Sequence, residues 1–589
     1  METTDLLTYL EREKALTEAD IQAIDAMSVA ERVARGLAVA HLQLVRQVEE
    51  EVLLSCEENN TRWRPGDWVE MQVNGRWDTA IIAENSPTEI LLLLQHPTTL
   101  LPTDRIHLQS NKSQLLDPII QSLQKLQPGA PGSSFLDFLW GHKTIRLQQS
   151  GGIELTDAQL APAALNASQQ AVARRGGRRP SLLAVQGPPG TGKTHVLAVV
   201  AQQLARQRQP VVVLAHTHQA VNNCLNAIRA LDPDLALFKI GEQLKSSGLE
   251  PSISTFKYKE FQKLYKQKKR PQHCIVGMSY YAALIHLGLR SSGFAPTVVL
   301  VDEAGQIPLT YGAALGSLGA GSVLLFGDDA QMPPIYHPDL EQHTLSRSLF
   351  QQVRSAQPDA VAALDTTYRL NDRLSGIIGQ LYYPDAHGSS FLHSAPAAQP
   401  RRLQLDLPPA TPPIIARALQ PATSLVWVNN ATPAADCEQV NEAEAHAIAE
   451  LVATCLAAGL SPTQVAVVAP FRRQVLALRT ALRHRLPTLP PQLVVDTVER
   501  LQGASVELVL VSYAANQPDY LASIRRFLLS PNRLNVALSR ARSKAVFFVS
   551  DALLLLPQPD VLNELSQLGY LREAADDYLT LAEFIMPNT

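Results

Sequence analysis

The stretch that decides the fold reads SLLAVQGPPGTGKT over residues 181–194, and HVLAVVAQQLAR follows it over residues 195–206. An apolar strand, a glycine-rich turn and an amphipathic helix in this order match the phosphate-loop pattern G-x-x-x-x-G-K-[ST]. Glycines let backbone N–H groups turn toward phosphate oxygens, and the helix N-terminus adds partial positive charge. We therefore predict a nucleotide site formed by Gly187, Pro188, Pro189, Gly190, Thr191, Gly192, Lys193 and Thr194.

Four side chains in two segments predict the chemistry of this site. Lys193 places a positive charge on the outer phosphates, and the Thr194 hydroxyl suits Mg²⁺. Farther along, the apolar strand 298–301 ends in Asp302 and Glu303. Asp302 then suits Mg²⁺, bound either directly or through a coordinated water, and Glu303 polarises the water that attacks the γ-phosphate. Together the segments predict a nucleoside triphosphate hydrolase that uses Mg²⁺.

Apolar runs that alternate with amphipathic helices indicate the fold class from residue 181 onward. Because the runs are continuously apolar, their sheets are expected to be covered on both faces, as in doubly wound α/β domains. The runs form two similar halves, at 182–185, 211–215, 298–301 and 322–326, and then at 425–428, 465–469, 493–495, 508–511 and 545–549. The proline-rich stretch 394–423 is expected to lack regular structure.

The N-terminal region has a different pattern of apolar residues. Val33, Leu37, Ala40, Leu44 and Val48 recur at three- and four-residue spacing, which predicts that the first 55 or so residues are helical. Alternating apolar residues then flank Asn74-Gly75, which predicts a β-hairpin. With the apolar run 89–95, this suggests a small barrel or sheet, flanked by helices up to about residue 150. We expect the tryptophans Trp63, Trp68 and Trp77 to fill its core.

Composition excludes several classes of protein. The net charge of −4 over 589 residues rules out a uniformly basic nucleic-acid binder, so a polyanion requires a local patch. No run approaches the ~18 apolar residues of a membrane span, and the N-terminus does not resemble a secretory signal. Five scattered cysteines predict neither a disulfide framework nor a zinc site, and a cytoplasmic location is expected.

Further motifs, in order and spacing, carry a family resemblance over roughly residues 160–550. They read DEAGQ at 302–306, GDDAQMPP at 327–334, YRL at 368–370, PFRRQ at 470–474, DTVERLQG at 496–503 and NVALSRAR at 535–542. The chain thereby resembles superfamily 1 helicases with an AAA-type phosphate-loop ATPase motor, in the 5′→3′ branch related to RNA-decay and immunoglobulin-switch helicases.

The resemblance implies two RecA-like domains behind an N-terminal helical stalk and a small β-barrel accessory domain. It places the accessory domain at residues 1–150 and the first motor domain at 151–343, with a basic insertion at about 235–272. The second motor domain would span 344–575, and a C-terminal tail 576–589.

The resemblance also implies roles for residues outside the phosphate loop. Gln169 would read adenine, Tyr368 would stack on it, and Gly503 would adjoin the nucleotide. Gln331 would sense the γ-phosphate, while Arg369 and Arg540 would reach it from the second domain. Contacts with nucleic acid are implied for Thr217, Asn222, Ser279, Pro470 and Thr497. Two positions depart from the family, because Ser505 replaces a glutamate that contacts ribose and His218 replaces an asparagine.

Two basic segments leave alternatives open. Segment 256–270 contains seven basic residues, one acid and four aromatic residues, a composition suited to binding a single strand. Its aromatic residues could instead pack inward, since Phe261 and Tyr265 are four residues apart on a helix. The cluster Arg174, Arg175, Arg178 and Arg179 is expected to be a solvated loop.

The predicted function is an ATP-dependent helicase or translocase that moves 5′→3′ on single-stranded or tailed duplex DNA or RNA. The alternative is a nucleic-acid-stimulated ATPase that binds or remodels nucleoprotein without unwinding duplexes. A hydrolase unrelated to nucleic acid is a third possibility, and the motifs beyond the nucleotide site argue against it. The sequence does not distinguish DNA from RNA, and it leaves the identity of protein partners open.

Overall fold

The computed structural model describes residues 3–585, apart from short gaps. The gaps are 49–50, 58, 60, 62, 64–66, 86–88, 95, 97, 111–115, 127–128, 130–131, 148–151, 242, 267–273, 287–293, 432–436, 502, 504 and 557–558. At residues 84, 244, 266 and 500 only the backbone is described.

The N-terminal part consists of two helices and a closed antiparallel barrel. Helix α1 covers Thr3–Ala26 and helix α2 covers Val29–Ala34. The barrel strands are β1 (Ala38–Val48), β2 (Glu51–Ser55), β3 (Trp68–Val73), β4 (Arg76–Asn85), β5 (Glu89–Leu94) and β6 (Ile106–Ser110). They pair in the order β1-β2-β5-β4-β3-β6, and β6 closes the barrel on β1. The predicted hairpin at Asn74-Gly75 is therefore confirmed as the β3–β4 connection.

The predicted helix through residue 55 is wrong beyond Ala34. Residues 38–48 form strand β1, whose inward residues include Val39 and Leu42. The four-residue spacing of Ala40, Leu44 and Val48 misled the prediction, because four is a multiple of the two-residue strand period as well as close to one helical turn.

The three tryptophans divide between the inside and the outside of the barrel. Trp63 is 7% exposed and packs in the barrel core. Trp68 and Trp77 are 41% and 48% exposed, so the expectation that they fill the core is wrong. Val69 in β3 and Ala80 in β4 point inward instead, and alternation along each strand then directs Trp68 and Trp77 outward.

Helix α1 and the segment after the barrel pack against the first motor domain. Helices α3 (Leu116–Gln124), α4 (Ser133–Leu139), α5 (Asp157–Leu160) and α6 (Ala167–Gly177) lead into that domain. Leu6 and Leu10 of α1 share an apolar cluster with Leu349 and Phe350. The Tyr311 hydroxyl donates to Glu13 on α1 at 2.9 Å, so apolar and polar contacts together attach the stalk.

The first motor domain is built on an eight-stranded sheet in which every pairing is parallel. Its order is β10-β9-β11-β8-β12-β13-β7-β14. The strands are β7 (Leu182–Gln186), β8 (Val211–Ala215), β9 (Ala236–Ile240), β10 (Ser254–Phe256), β11 (Cys274–Ser279), β12 (Val298–Val301), β13 (Ser322–Gly327) and β14 (Val361–Ala363). Its helices are α7 (Lys193–Arg206), α8 (His218–Leu231), α9 (Tyr258–Lys266), α10 (Tyr280–His286), α11 (Leu309–Ala314) and α12 (Leu349–Ala356).

The second motor domain has a six-stranded parallel sheet in the order β19-β18-β20-β21-β17-β22. A two-stranded sheet of β15 (Thr366–Thr367) and β16 (His393–Ser394) precedes it. The main strands are β17 (Leu425–Asn429), β18 (Val465–Ala469), β19 (Val494–Thr497), β20 (Val506–Ser512), β21 (Ala541–Val549) and β22 (Asp577–Thr580). The helices are α13 (Asp372–Tyr382), α14 (Pro413–Leu419), α15 (Glu442–Ala457), α16 (Arg472–Arg485), α17 (Pro518–Leu528), α18 (Pro531–Leu538), α19 (Leu562–Glu573) and α20 (Leu581–Ile585). The two doubly wound α/β halves are therefore confirmed.

Three details differ from the sequence-based expectation. Strand β14 belongs to the first sheet, so that sheet extends past the expected boundary at residue 343. Strand β22 pairs with β17, so the expected C-terminal tail supplies an edge strand. The proline-rich stretch contains α14, which begins at Pro413, where a missing N–H costs a helix nothing.

In the described part of the chain, no helix is long and apolar enough to cross a bilayer.

Candidate active site

The phosphate loop follows β7 directly and leads into α7. Gly190 and Gly192 have φ values of 74° and 81°, in the left-handed region that glycine occupies without strain. A Cβ on Gly187 would lie 2.0 Å from Cγ of Lys193, so the lysine stem passes directly over that glycine. The Lys193 ammonium donates to the Gly187 carbonyl at 3.0 Å. The loop thus has the form expected of a cradle for phosphate oxygens.

The acid pair lies opposite the start of α7. The Thr194 hydroxyl donates to Oδ2 of Asp302 at 3.1 Å, and the Cys224 thiol donates to the same oxygen at 3.2 Å. Burial, followed by the neighbouring charge of Glu303, raises the pKa of Asp302. A hydroxyl and a carboxylate side by side are the oxygen ligands that Mg²⁺ prefers, so these residues fit the ion. Cys224 was not predicted, since nothing in the sequence connects it with Asp302.

A hydrogen-bonded bridge crosses from the first motor domain to the second. Gln331 donates its amide N–H to Oδ2 of Asp328 at 2.6 Å. The Arg540 guanidinium donates to the amide oxygen of Gln331 at 2.9 Å. Arg540 is only 3% exposed, and burial lowers its pKa while the charge of Glu303 acts in the opposite direction. Two residues predicted to act on the γ-phosphate are therefore in direct contact.

Arg369 lies in the same buried region. It donates to the Ser539 carbonyl at 3.1 Å. Burial, together with the charges of Arg540 and Arg542, lowers the pKa of Arg369 to about 9, while the charge of Glu303 acts in the opposite direction. Two neighbouring guanidiniums whose positive charges repel each other make a site that favours a polyanion between them.

The second domain also contacts the phosphate loop itself. The Tyr368 N–H donates to the Gly190 carbonyl at 2.8 Å, and the buried Thr367 hydroxyl donates to the Pro189 carbonyl at 2.7 Å. A Cβ on Gly190 would lie 2.4 Å from Cβ of Arg369. Thr367 was missed from the sequence, although it directly precedes the predicted pair Tyr368-Arg369.

The two residues predicted to contact adenine lie close together, but the side chain of Gln169 forms hydrogen bonds within the protein. Tyr368 is 44% exposed, and its hydroxyl accepts from the Asn166 amide at 3.0 Å. Gln169 is buried, accepts from the Asn166 N–H at 3.0 Å and donates to the Thr191 carbonyl at 2.9 Å. Its side chain thus joins helix α6 to the phosphate loop, and its contact with adenine stays a prediction.

The segment around Gly503 is described in part, since Gln502 and Ala504 lie outside the described residues. Gly503 is exposed, with a φ of 87°. Ser505 accepts from the Arg542 guanidinium at 3.0 Å. The residue that replaces the family's glutamate is therefore engaged by an arginine of the motif NVALSRAR.

Four of the five predicted nucleic-acid residues lie at the carboxyl ends of parallel strands. Thr217 follows β8 and caps helix α8, and Ser279 ends β11. Pro470 follows β18, and Thr497 ends β19. Ligands of open α/β sheets bind at this edge. The structure therefore places the four residues at the carboxyl edges of the two sheets, and their contact with nucleic acid stays a prediction.

The fifth residue, Asn222, requires a correction. It is buried and donates to the carbonyls of Lys245 at 3.2 Å and Ser247 at 3.0 Å. Its amide therefore holds a loop of the basic insertion in place, and a direct contact with nucleic acid is not available to it. The beginning of α8 faces the edge, but Asn222 lies a turn farther along that helix.

The aromatic residues of segment 256–270 pack inward. Phe261 is fully buried, and its ring centroid lies 5.6 Å from that of Tyr265. Phe256 and Tyr258 pack against the same cluster. The described lysines with exposed side chains are Lys257, Lys259 and Lys263, while residues 267–270 lie outside the described residues. This favours the packing alternative over stacking on bases.

The arginines of the cluster before β7 form salt bridges and hydrogen bonds, so the prediction of a solvated loop is wrong. Arg178 pairs with Glu154 at 2.6 Å, and Arg174 pairs with Asp157. Arg179 is buried and donates to Gln209 at 2.8 Å.

Two models described as an AAA domain match the chain, over residues 164–373 and 345–552. The curated relatives include the DNA replication ATP-dependent helicase/nuclease dna2 of Schizosaccharomyces pombe, which is 26% identical over 384 residues. The protein of the same description from Mus musculus is 28% identical over 394 residues. The Regulator of nonsense transcripts 1 homolog of Drosophila melanogaster is 25% identical over 462 residues.

These alignments cover 62%, 62% and 72% of this chain, but only 26%, 35% and 37% of the respective relatives. Similar solved structures include the arterivirus nonstructural protein 10 helicase, with a TM-score of 0.39 and 13% identity over 88% of this chain and 81% of that one. The DUF1998 helicase MrfA, bound to DNA and AMPPNP, has a TM-score of 0.41 and 11% identity over 74% of this chain and 55% of that one.

Proposed function

We propose that this chain, whose two α/β halves carry the motor of the superfamily 1 helicases, is an ATP-dependent nucleic-acid helicase or translocase. It moves 5′→3′ along single-stranded DNA or RNA and couples ATP hydrolysis to strand separation. Its substrates are single strands or tailed duplexes, and its cellular setting is the cytoplasm.

The observation that carries the proposal is the bridge between Gln331 and Arg540. Arg540 belongs to the second domain, yet its guanidinium lies 2.9 Å from Gln331 of the first. Groups that stabilise the charge of a transferring phosphoryl must be in place before hydrolysis is fast. Because this arginine comes from the opposite domain, hydrolysis depends on how the two domains are arranged. The same dependence lets hydrolysis drive a domain movement.

Each side chain has a definable task at the reacting phosphate. Lys193 holds the outer phosphate oxygens, and Arg369 and Arg540 spread positive charge over the transferring group. Glu303 accepts a proton from the attacking water. Thr194 and Asp302 would hold Mg²⁺, which neutralises phosphate charge when bound.

Nucleic acid would run along the edge that carries Thr217, Ser279, Pro470 and Thr497. Hydroxyl and backbone groups at this edge suit contacts with phosphates, which fix a strand without reading its sequence. Because the edge spans both sheets, a change in the angle between the domains would shift one set of contacts relative to the other.

The proposal is tested by ATP turnover titrated with matched DNA and RNA oligonucleotides, alongside strand displacement on tailed duplexes. We expect turnover to rise with at least one nucleic acid, and displacement to require a 5′ single-stranded tail. Stimulated turnover without displacement on any tailed duplex would favour the nucleic-acid-stimulated remodelling ATPase instead. Turnover that no oligonucleotide changes would exclude both.

The Glu303→Gln variant isolates the chemical step. We expect it to bind ATP normally and to lose hydrolysis by about 100-fold or more, because a general base is removed while the shape is kept. The exposed Glu341 lies in the same domain, and Glu341→Gln serves as the matched control. Near-normal turnover in Glu303→Gln would overturn the assignment of the base.

A further inference from the structure

Tyr383 forms a second polar connection between the two motor domains. It follows α13, is buried in the apolar core of the second domain, and points its hydroxyl at the first. This hydroxyl donates to Oδ2 of Asp328 at 2.6 Å and accepts from the Asn535 amide at 2.9 Å. No sequence motif discussed above contains Tyr383.

One carboxylate oxygen of Asp328 accepts two hydrogen bonds. Oδ2 of Asp328 receives the Tyr383 hydroxyl and the Gln331 amide N–H, each at 2.6 Å. An amide that directs its N–H toward a carboxylate must direct its oxygen the other way. In this structure that oxygen accepts from Arg540 at 2.9 Å. Tyr383 thus holds the carboxylate that orients Gln331 toward the arginine.

Helix α18 closes the same network. Asn535 donates to the Ala330 carbonyl at 2.8 Å as well as to Tyr383, and Asn532 donates to the Asp329 carbonyl at 3.0 Å. Arg540 lies two residues beyond the end of this helix. The segment 328–331 is therefore bound at several points to the element that positions Arg540.

We propose that Tyr383 is a positioning residue that orients Gln331, through Asp328, toward Arg540 for ATP hydrolysis. The inference rests on the proposed function only in requiring that the site hydrolyses ATP.

The charges around Asp328 support this arrangement. Burial raises the pKa of Asp328 to about 6, and the adjacent Asp329 acts in the same direction. Lys193 on α7 and the hydrogen bonds from Tyr383 and Gln331 act in the opposite direction. Arg540 faces the group from the second domain, and Asp329 is paired with Arg354 at 2.6 Å. The Tyr383 hydroxyl therefore helps to keep Asp328 ionised as a double acceptor.

The test is Tyr383→Phe, which removes the hydroxyl and keeps the ring. We expect the maximal nucleic-acid-stimulated kcat to fall about 10-fold, since a buried hydrogen bond to a charged group is lost. The KM for ATP should change less than about 2-fold, because Tyr383 does not touch the nucleotide loop. Tyr513→Phe makes the same chemical change in a buried tyrosine of the same domain, whose hydroxyl donates to the Leu528 carbonyl at 3.3 Å. That control should retain wild-type turnover.

A double-mutant cycle with Gln331→Ala distinguishes positioning from general stabilisation. If Tyr383 acts through Gln331, Tyr383→Phe should have almost no further effect on kcat in the Gln331→Ala background. Independent, multiplicative losses would overturn the proposal, as would wild-type kcat in Tyr383→Phe. If oligonucleotides fail to stimulate the wild-type protein, the proposed function fails, and the cycle on basal ATPase still decides the role of Tyr383.

Discussion

Arg540 is the second-domain arginine that contacts Gln331 of the first domain. It is buried, its pKa is lowered by burial, and it spans the domains by its hydrogen bond to Gln331. We expect Arg540→Ala to lower kcat for ATP by about 1,000-fold or more, the range typical of arginines that stabilise a transferring phosphoryl group. Steady-state ATPase measured with saturating oligonucleotide checks this.

Arg533 lies on the neighbouring helix α18 and provides a matched control. It pairs with Glu499 at 3.0 Å, and Arg533→Ala removes the same charge without touching Gln331. This control should keep kcat within about 3-fold of wild type, because its pair is partly exposed and contributes little. Wild-type ATP turnover in Arg540→Ala would contradict the proposal that residues of both domains act on the same γ-phosphate.

At the residue scale, the sequence was informative where a motif dictates the geometry of the backbone. The phosphate loop and Asp302 lie at the turn and the strand end that their patterns predict, because glycines and strand ends leave few alternatives. Asn222 and Trp77 could not be placed in this way. Whether a side chain faces a ligand, a loop or the core depends on neighbours that are distant in sequence.

Strand β21 contains a buried lysine that gives the second sheet a pH-dependent stability. Lys544 is fully buried and donates to the Thr423 hydroxyl. Burial lowers the pKa of Lys544 from 10.5 to about 7, although Asp576 and Asp577 act against this. The folded state therefore favours the neutral amine. The cost of burying the charge is complete below about pH 7 and declines as the pH rises toward 10.5.

We expect Lys544→Met to have a larger free energy of unfolding than wild type at pH 7. Between pH 7 and 9, this difference in free energy should shrink by up to about 1.4 kcal/mol per pH unit. Urea unfolding at pH 7, 8 and 9 measures this difference. Lys263→Met changes an exposed lysine, and its difference from wild type should not depend on pH. An equal difference for Lys544→Met at pH 7 and 9 would contradict the buried-charge account.

At the scale of elements, periodicity predicted the parallel strands well and β1 poorly. The strands β8 and β18 are apolar at every position because helices cover both faces of their sheets. Strand β1 has one face in a small barrel, and its pattern at residues 40, 44 and 48 fits two periods equally. The deciding interaction is pairing with β2 and β6, which local sequence does not encode.

For the molecule as a whole, binding of single-stranded nucleic acid should require both sheets. Thr217 follows the carboxyl end of β8 in the first domain, and Thr497 ends β19 in the second. We expect Thr217→Ala with Thr497→Ala to raise the Kd for a single-stranded oligonucleotide by about 10-fold, since each lost phosphate contact costs roughly 0.5–1.5 kcal/mol. Fluorescence anisotropy at fixed salt gives the Kd, because such affinities depend strongly on ionic strength.

Thr463 provides the opposite-edge control. It lies in the short helical turn Pro462–Gln464 that precedes β18, at the amino end of a strand whose carboxyl end carries Pro470. Thr463→Ala should leave the Kd and the ATPase unchanged. Equal weakening by Thr463→Ala would show that the binding path does not follow the carboxyl edge.

The closure of the barrel has a further consequence. Strands β1 and β6 are neighbours, paired through Ala38 with Gln109 and Val39 with Leu108, so the chain enters and leaves this unit at one place. A unit attached through such adjacent ends behaves as a cassette, because it can be exchanged or enlarged without changing the path of the surrounding chain. A change of this kind in the barrel would leave the nucleotide site of the two α/β domains as it is.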